Sequence, residues 1–96
     1  MGAFVSYTSL DYETTAIVPV IASFDSGGHI CPLYVRLGHK PYHINEYFVS
    51  SKYSNIIEFR CKISDGDSEK PLQLTFYSVE GMWTVPKSSD TISASI

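Results

Sequence analysis

Ninety-six residues, 44% of them apolar, make one small domain able to bury a single core and exclude a multidomain architecture. The net charge of −3 argues against a dedicated nucleic-acid binder, which carries a basic excess. Two cysteines are too few for a disulfide scaffold, and the longest apolar run, Ala16 to Ala22, is too short to span a bilayer.

Met1 to Glu13 has no clean period and reads as a terminal segment outside the folded unit. A first strand is expected over about Thr14 to Phe24, with Val18, Val20, Ala22 and Phe24 on one face. Pro19 cannot donate a ladder hydrogen bond, so it marks an edge or a bulge. Asp25-Ser26-Gly27-Gly28 is a strong turn. It leads to a second strand, about His29 to Leu37, with Cys31, Leu33, Val35 and Leu37 on one face. Gly38-His39-Lys40-Pro41 turns the chain into a third strand, about Tyr42 to Ser50. Ile44 and Phe48 share a parity there, while Tyr47 and Val49 break it, which predicts a bulge near Tyr47. Ser51 to Asn55 reads as a loop.

The fourth strand, Ile56 to Ile63, is the clearest. Ile57, Phe59, Cys61 and Ile63 alternate with Glu58, Arg60 and Lys62, the mark of one buried and one wet face. Ser64 to Ser68 is a second strong turn. The fifth strand, Leu72 to Val79, turns Leu72, Leu74 and Phe76 inward. Glu80-Gly81 is a two-residue connection to the sixth, Met82 to Val85, which carries Trp83. The Ser-rich stretch from Lys87 to Ile96 reads as a disordered tail or a short added strand. The expected fold is therefore all-β: a single antiparallel meander of about six strands over residues 14–86, bent into a small, partly open, SH3-like barrel that hides its edges. Its expected core is Val18, Val20, Ala22, Leu33, Val35, Ile57, Phe59, Cys61, Ile63, Leu74, Phe76 and Trp83.

Few residues carry recognisable chemistry. His39 and His43 lie four apart with His29 and Cys31 upstream, but a Gly-Pro turn and a strand intervene where a zinc site needs convergence. Cys31 and Cys61, both expected on inner faces, behave as small apolar residues when buried. Asp65 to Glu69 has the composition of a calcium loop without its twelve-residue ligand order, and fits a hairpin turn. The Asp25 turn has no phosphate-loop lysine and leads into a strand instead of a helix. Glu46 and Glu58 would form a carboxylate pair only by accident of folding, and no Ser–His constellation is tied together. Met1 to Ser6 formally fits the myristoylation pattern, a short motif that arises by accident. No catalytic residue, metal or cofactor is implied.

The best functional candidate is a basic, aromatic set: Tyr34, Arg36, Tyr42, Tyr47, Lys52, Tyr53, Arg60 and Lys62. From His29 to Lys62 the chain carries five basic residues against Glu46 and Glu58, so its middle is basic while the loops and ends are acidic. Small β-barrels bind single-stranded nucleic acid through such sets, aromatics stacking bases and cations following phosphates. The plain alternative is cross-strand pairs covering one sheet face.

Five stretches form a recognisable set: Thr15 to Val20, Pro32 to Arg36, Ile56 to Phe59, Pro71 to Thr75 and Met82 to Pro86. Together they resemble small uncharacterised proteins of Gram-positive, Clostridium-type gut bacteria, often associated with mobile or conjugative elements. The likeness covers roughly Thr14 to Pro86 and rests on strand cores and a closing tryptophan. It implies a bacterial cytoplasmic accessory protein and transfers no catalytic residue. The expected function is thus a non-enzymatic binding module. Its partner is nucleic acid on the basic aromatic face, or else a protein, a further copy of the chain included, engaged at the edge near Pro19 or another open strand edge. A membrane is not an expected partner, and the start of the chain lacks the basic and apolar regions of a signal peptide.

Overall fold

The computed structural model describes residues 14–90. They form seven antiparallel strands and one short helix: β1 (Thr15–Ile17), β2 (Val20–Phe24), β3 (Ile30–Leu37), β4 (Lys40–Tyr53), β5 (Ile56–Asp65), β6 (Ser68–Tyr77), β7 (Met82–Pro86) and α1 (Lys87–Asp90). Strands β2 to β7 follow one another as a meander curled into a half-barrel, in the order β1-β7-β6-β5-β4-β3-β2. The expected N-terminal segment, residues 1–13, and residues 91–96 of the expected tail lie outside the described residues. The tail's first residues form α1, not a strand.

Pro19 explains how the curl closes. The single first strand expected from sequence is two strands, β1 and β2, parted by Val18 and Pro19. They lie at opposite ends of the strand order. Three Cα steps join Ile17 to Val20, so those ends stand within about 11 Å of each other. Val18 N donates to Trp83 O of β7 (3.0 Å), and Pro19 O accepts from Arg36 N of β3 (3.1 Å). The residue that donates no ladder bond sits where the chain changes sheet edge.

Three extra residues bend the sheet. On β3, Ile21 faces Tyr34 and Ala22 faces Pro32, so Leu33 is unmatched. On β4, Asn45 and Ser50 are unmatched against β5. The expected bulge near Tyr47 is therefore two irregularities, one on each side of it. The Asn45 carboxamide secures the first: its Oδ1 lies 2.9 Å from His43 Nδ1 and accepts from Ser64 Oγ (2.9 Å), while Nδ2 donates to Glu69 Oε2 (2.9 Å).

Turn chemistry sets the strand lengths. Gly38, at φ 61°, lets Leu37 and Lys40 pair across a two-residue connection. The expected loop at Ser51 to Asn55 shrinks to Ser54-Asn55, with Ser54 at φ 53°, and β4 runs through to Tyr53. The β6–β7 link is four residues, Ser78 to Gly81, because β6 ends at Tyr77.

The inward faces of the strands build one core around Val35, Leu37, Phe59, Ile63, Leu74 and Val85, each essentially enclosed. Enclosing each such side chain contributes about 1.5–3 kcal/mol. Trp83 packs between Phe59 (5.7 Å between ring centres) and Phe76 (4.6 Å), and Phe24 of β2 meets Phe76 edge-on at 6.3 Å across the curl. Eight of the twelve expected core residues are buried, and Val20, Ala22 and Ile57 pack against them half-buried. Leu33 is the correction: the bulge turns it outward, 38% exposed, and brings Pro32 in instead. Cys31 shares that displacement and is only half-buried.

Candidate functional site

Strands β3 and β4 pair only from Tyr34–His43 to Leu37–Lys40. Beyond His43, β4 bends at Asn45 and passes to β5. The first half of β3, Ile30 to Leu33, stays with β2. Among the described residues no strand pairs with the side of β4 turned away from β5 over Glu46–Tyr53, or with the facing side of β3 over Ile30–Leu33. The two strands thus part like the sides of a V and leave a cleft of about 380 Å³. Its floor is apolar: Ile57, Phe59 and Val49, with Ile30 opposite.

Three polar groups frame the cleft. At the turn between β2 and β3, Asp25 Oδ1 accepts from Gly27 N (2.9 Å) and His29 N (2.8 Å), and its Oδ2 lies 3.0 Å from His29 Nδ1. The His29 amide holds the Asp25 carboxyl below its ordinary value, and the ring adds to the effect. Both groups therefore serve the turn. Tyr47 and Cys31 also line the cleft, and the neighbouring Cys31 side chain, together with desolvation, raises the Tyr47 phenol above its ordinary range. Lys52 stands at the other end of the same lip, paired in register with Ile57. Behind Tyr47, burial pushes the Cys61 thiol up to about 12, so it is inert at neutral pH.

The sequence-selected set divides three ways. Tyr34, Arg36, Arg60 and Lys62 are exposed on the outer face. Tyr34 packs edge-on against His43 at 5.1 Å, Arg36 sits opposite Pro41, Arg60 opposite Phe48, and Lys62 is ion-paired with Glu46 at 3.2 Å. Tyr53 is also outward, opposite Ile56. Tyr47 and Lys52 line the cleft on the inner side. Tyr42 is excluded as a binding residue: it is 2% exposed and faces Val35 in the core, with Lys40 Nζ 5.4 Å from its ring centre. Its parity follows Ile44, not the outward Tyr34.

Sequence reasoning passed over Phe48 and Val49, which are 61% and 50% exposed on β4. The available signal was the run from Tyr47 to Val49, three large apolar residues in a row that no strand can bury on one face. The histidines are dispersed, and no group of three or more His, Cys, Asp or Glu able to hold a metal occurs among the described residues. No helix among them is long and apolar enough to cross a membrane. No protein-family model matches the chain, and neither a curated protein nor a solved structure matches it significantly.

Proposed function

We propose that this protein is a non-enzymatic binding module that receives an extended polypeptide strand in the cleft between β3 and β4. The observation that supports this reading is the parting of the two strands over an apolar floor. Two backbone edges, four and eight residues long, face a gap with unused ladder positions among the described residues. Main-chain donors and acceptors so presented are best satisfied by another strand, and alternate side chains of that strand would fall on the apolar floor. The test is amide exchange across a panel of ten-residue peptides alternating valine and threonine. A bound strand slows exchange at Glu46–Val49; a panel in which no peptide changes those amides refutes the reading.

A second reading rests on a separate observation. Tyr34, Arg36, His43, Phe48, Arg60 and Lys62 share the outer face, with Glu46 as the one carboxylate paired to them in register or by ion pair. Such a face suits single-stranded nucleic acid. Anisotropy of a labelled oligonucleotide, at low and physiological salt, tests it. Phosphate contacts weaken steeply with salt, and the double change Arg36→Ala, Arg60→Ala should abolish binding. No binding at low salt refutes it. The bacterial, mobile-element setting drawn from the resemblance goes with either reading as part of the proposal.

A further inference from the structure

Resting on the strand-capture reading, we infer that the cleft selects a segment with an acidic residue followed at alternate positions by apolar ones, the acid meeting Lys52. The spacing comes from β5, the strand that already pairs with the other side of β4. There Ile57, Phe59 and Cys61, two apart in sequence, stand opposite Lys52, Val49 and Tyr47 on the inner face. A strand laid antiparallel along the open side meets the same three residues in the same order. Its residue opposite Lys52 comes first, then one opposite Val49, then one opposite Tyr47.

The chemistry of each position follows. Lys52 is exposed and makes no ion pair among the described residues. Asp25, the one carboxylate lining the cleft, is engaged by His29. A cation over an apolar floor, with the nearby acid occupied, calls for a carboxylate from the incoming chain. Val49 and Phe59 offer an apolar surface to the second position. The Tyr47 ring stands edge-on to Phe59, 5.9 Å between ring centres, and fills the inner face at the third position, which therefore takes a small side chain.

A second copy of β4 is a poorer occupant. Two copies paired about Val49 would set Glu46 against Lys52. The unmatched Ser50 puts those two residues on opposite sheet faces, because Glu46 shares its face with Lys62 and Lys52 shares its face with Ile57. The bulge thus works against self-pairing.

The probe is a synthetic nonapeptide with glutamate, valine and alanine at alternate positions and threonine elsewhere, compared with a twin carrying lysine for glutamate. Binding is read by nitrogen–proton NMR titration of the full chain. The glutamate peptide should bind about tenfold more tightly than its twin. Lys52→Glu should reverse the order; Lys52 is exposed, and the free-state spectrum confirms that the variant folds. Equal affinity of the two peptides overturns the charge selection and leaves strand capture standing. No shift at Glu46–Val49 with either peptide, while the panel peptides of the preceding test bind there, overturns the motif; no shift with any peptide overturns strand capture as well.

Discussion

Leu33 and Leu37 lie on one strand with the same parity, so a regular β3 would treat them alike. The bulge separates them: Leu37 is fully enclosed and Leu33 is 38% exposed. Replacing Leu37 by alanine removes a buried isobutyl group and leaves a cavity in a core closed by Val35 and Phe59, a change that costs about 3–5 kcal/mol. For a domain of this size each kcal/mol lowers Tm by about 4–8 °C, so the variant approaches the limit of a total stability of about 5–15 kcal/mol. Leu33→Ala gives up part of a transfer term with no enclosed cavity, about 1 kcal/mol. Urea unfolding followed by Trp83 emission measures both, since Trp83 packs in the core between Phe59 and Phe76. The slope with urea should be unchanged and the midpoints well separated. Equal losses at the two positions would mean that β3 runs without its bulge, and the inward placement of Pro32 would fall with it.

Three further outcomes follow from the same geometry. The Tyr42 hydroxyl is buried without a hydrogen-bond partner among the described residues, so Tyr42→Phe should be neutral or stabilising by up to about 1 kcal/mol, whereas Tyr42→Ala should cost about 3–5 kcal/mol in urea unfolding. A thiol reagent at pH 8 should modify Cys31 in the folded protein and reach Cys61 only on unfolding; equal rates before unfolding would contradict the burial that raises Cys61 to about 12. The Asp65 carboxyl is held below its ordinary value near 3.8 by Lys70, 2.6 Å away, so the charged form is favoured by folding. That contribution is complete above the unfolded value and is lost as pH falls through the lower folded one. Asp65→Asn should therefore flatten the acid side of the urea-midpoint profile below about pH 4, and an unaltered profile would count against the pair.

The parts of the fold that could be read from the chain are those where alternation and turn residues agree. In β5 the inward set Phe59, Cys61 and Ile63 follows directly from period two, as does Leu72, Leu74 and Phe76 in β6. The glycine-bearing turns at Asp25 to Gly28 and at Gly66 stand where they were expected. What escaped were features that add a residue or redirect a strand. Leu33, Asn45 and Ser50 look like ordinary strand residues, and only their partners reveal them as unmatched. Each reverses parity beyond itself, which is why Cys31 left the core and why the proposed face split into an outer set and a cleft set. Tyr42 was misplaced for a different reason: a tyrosine suits both a wet and a dry position, and its register with Val35 decided the matter. The cleft itself is a tertiary feature, created where β4 leaves β3 for β5, and no single segment encodes it.

Amide hydrogen exchange of the free protein, resolved residue by residue across β4 and β5, tests the open edge most directly. Strand β5 is paired on both sides, with β4 and with β6. Its amides from Ile57 to Ile63 should exchange uniformly slowly. Over Glu46–Val49 exchange should alternate, with amides directed at β5 protected and those directed at the cleft exchanging at least a hundredfold faster, on the order of 3 kcal/mol less protection. Uniform protection along Glu46–Val49 would mean that the edge is already paired, and the cleft would then have no strand left to receive.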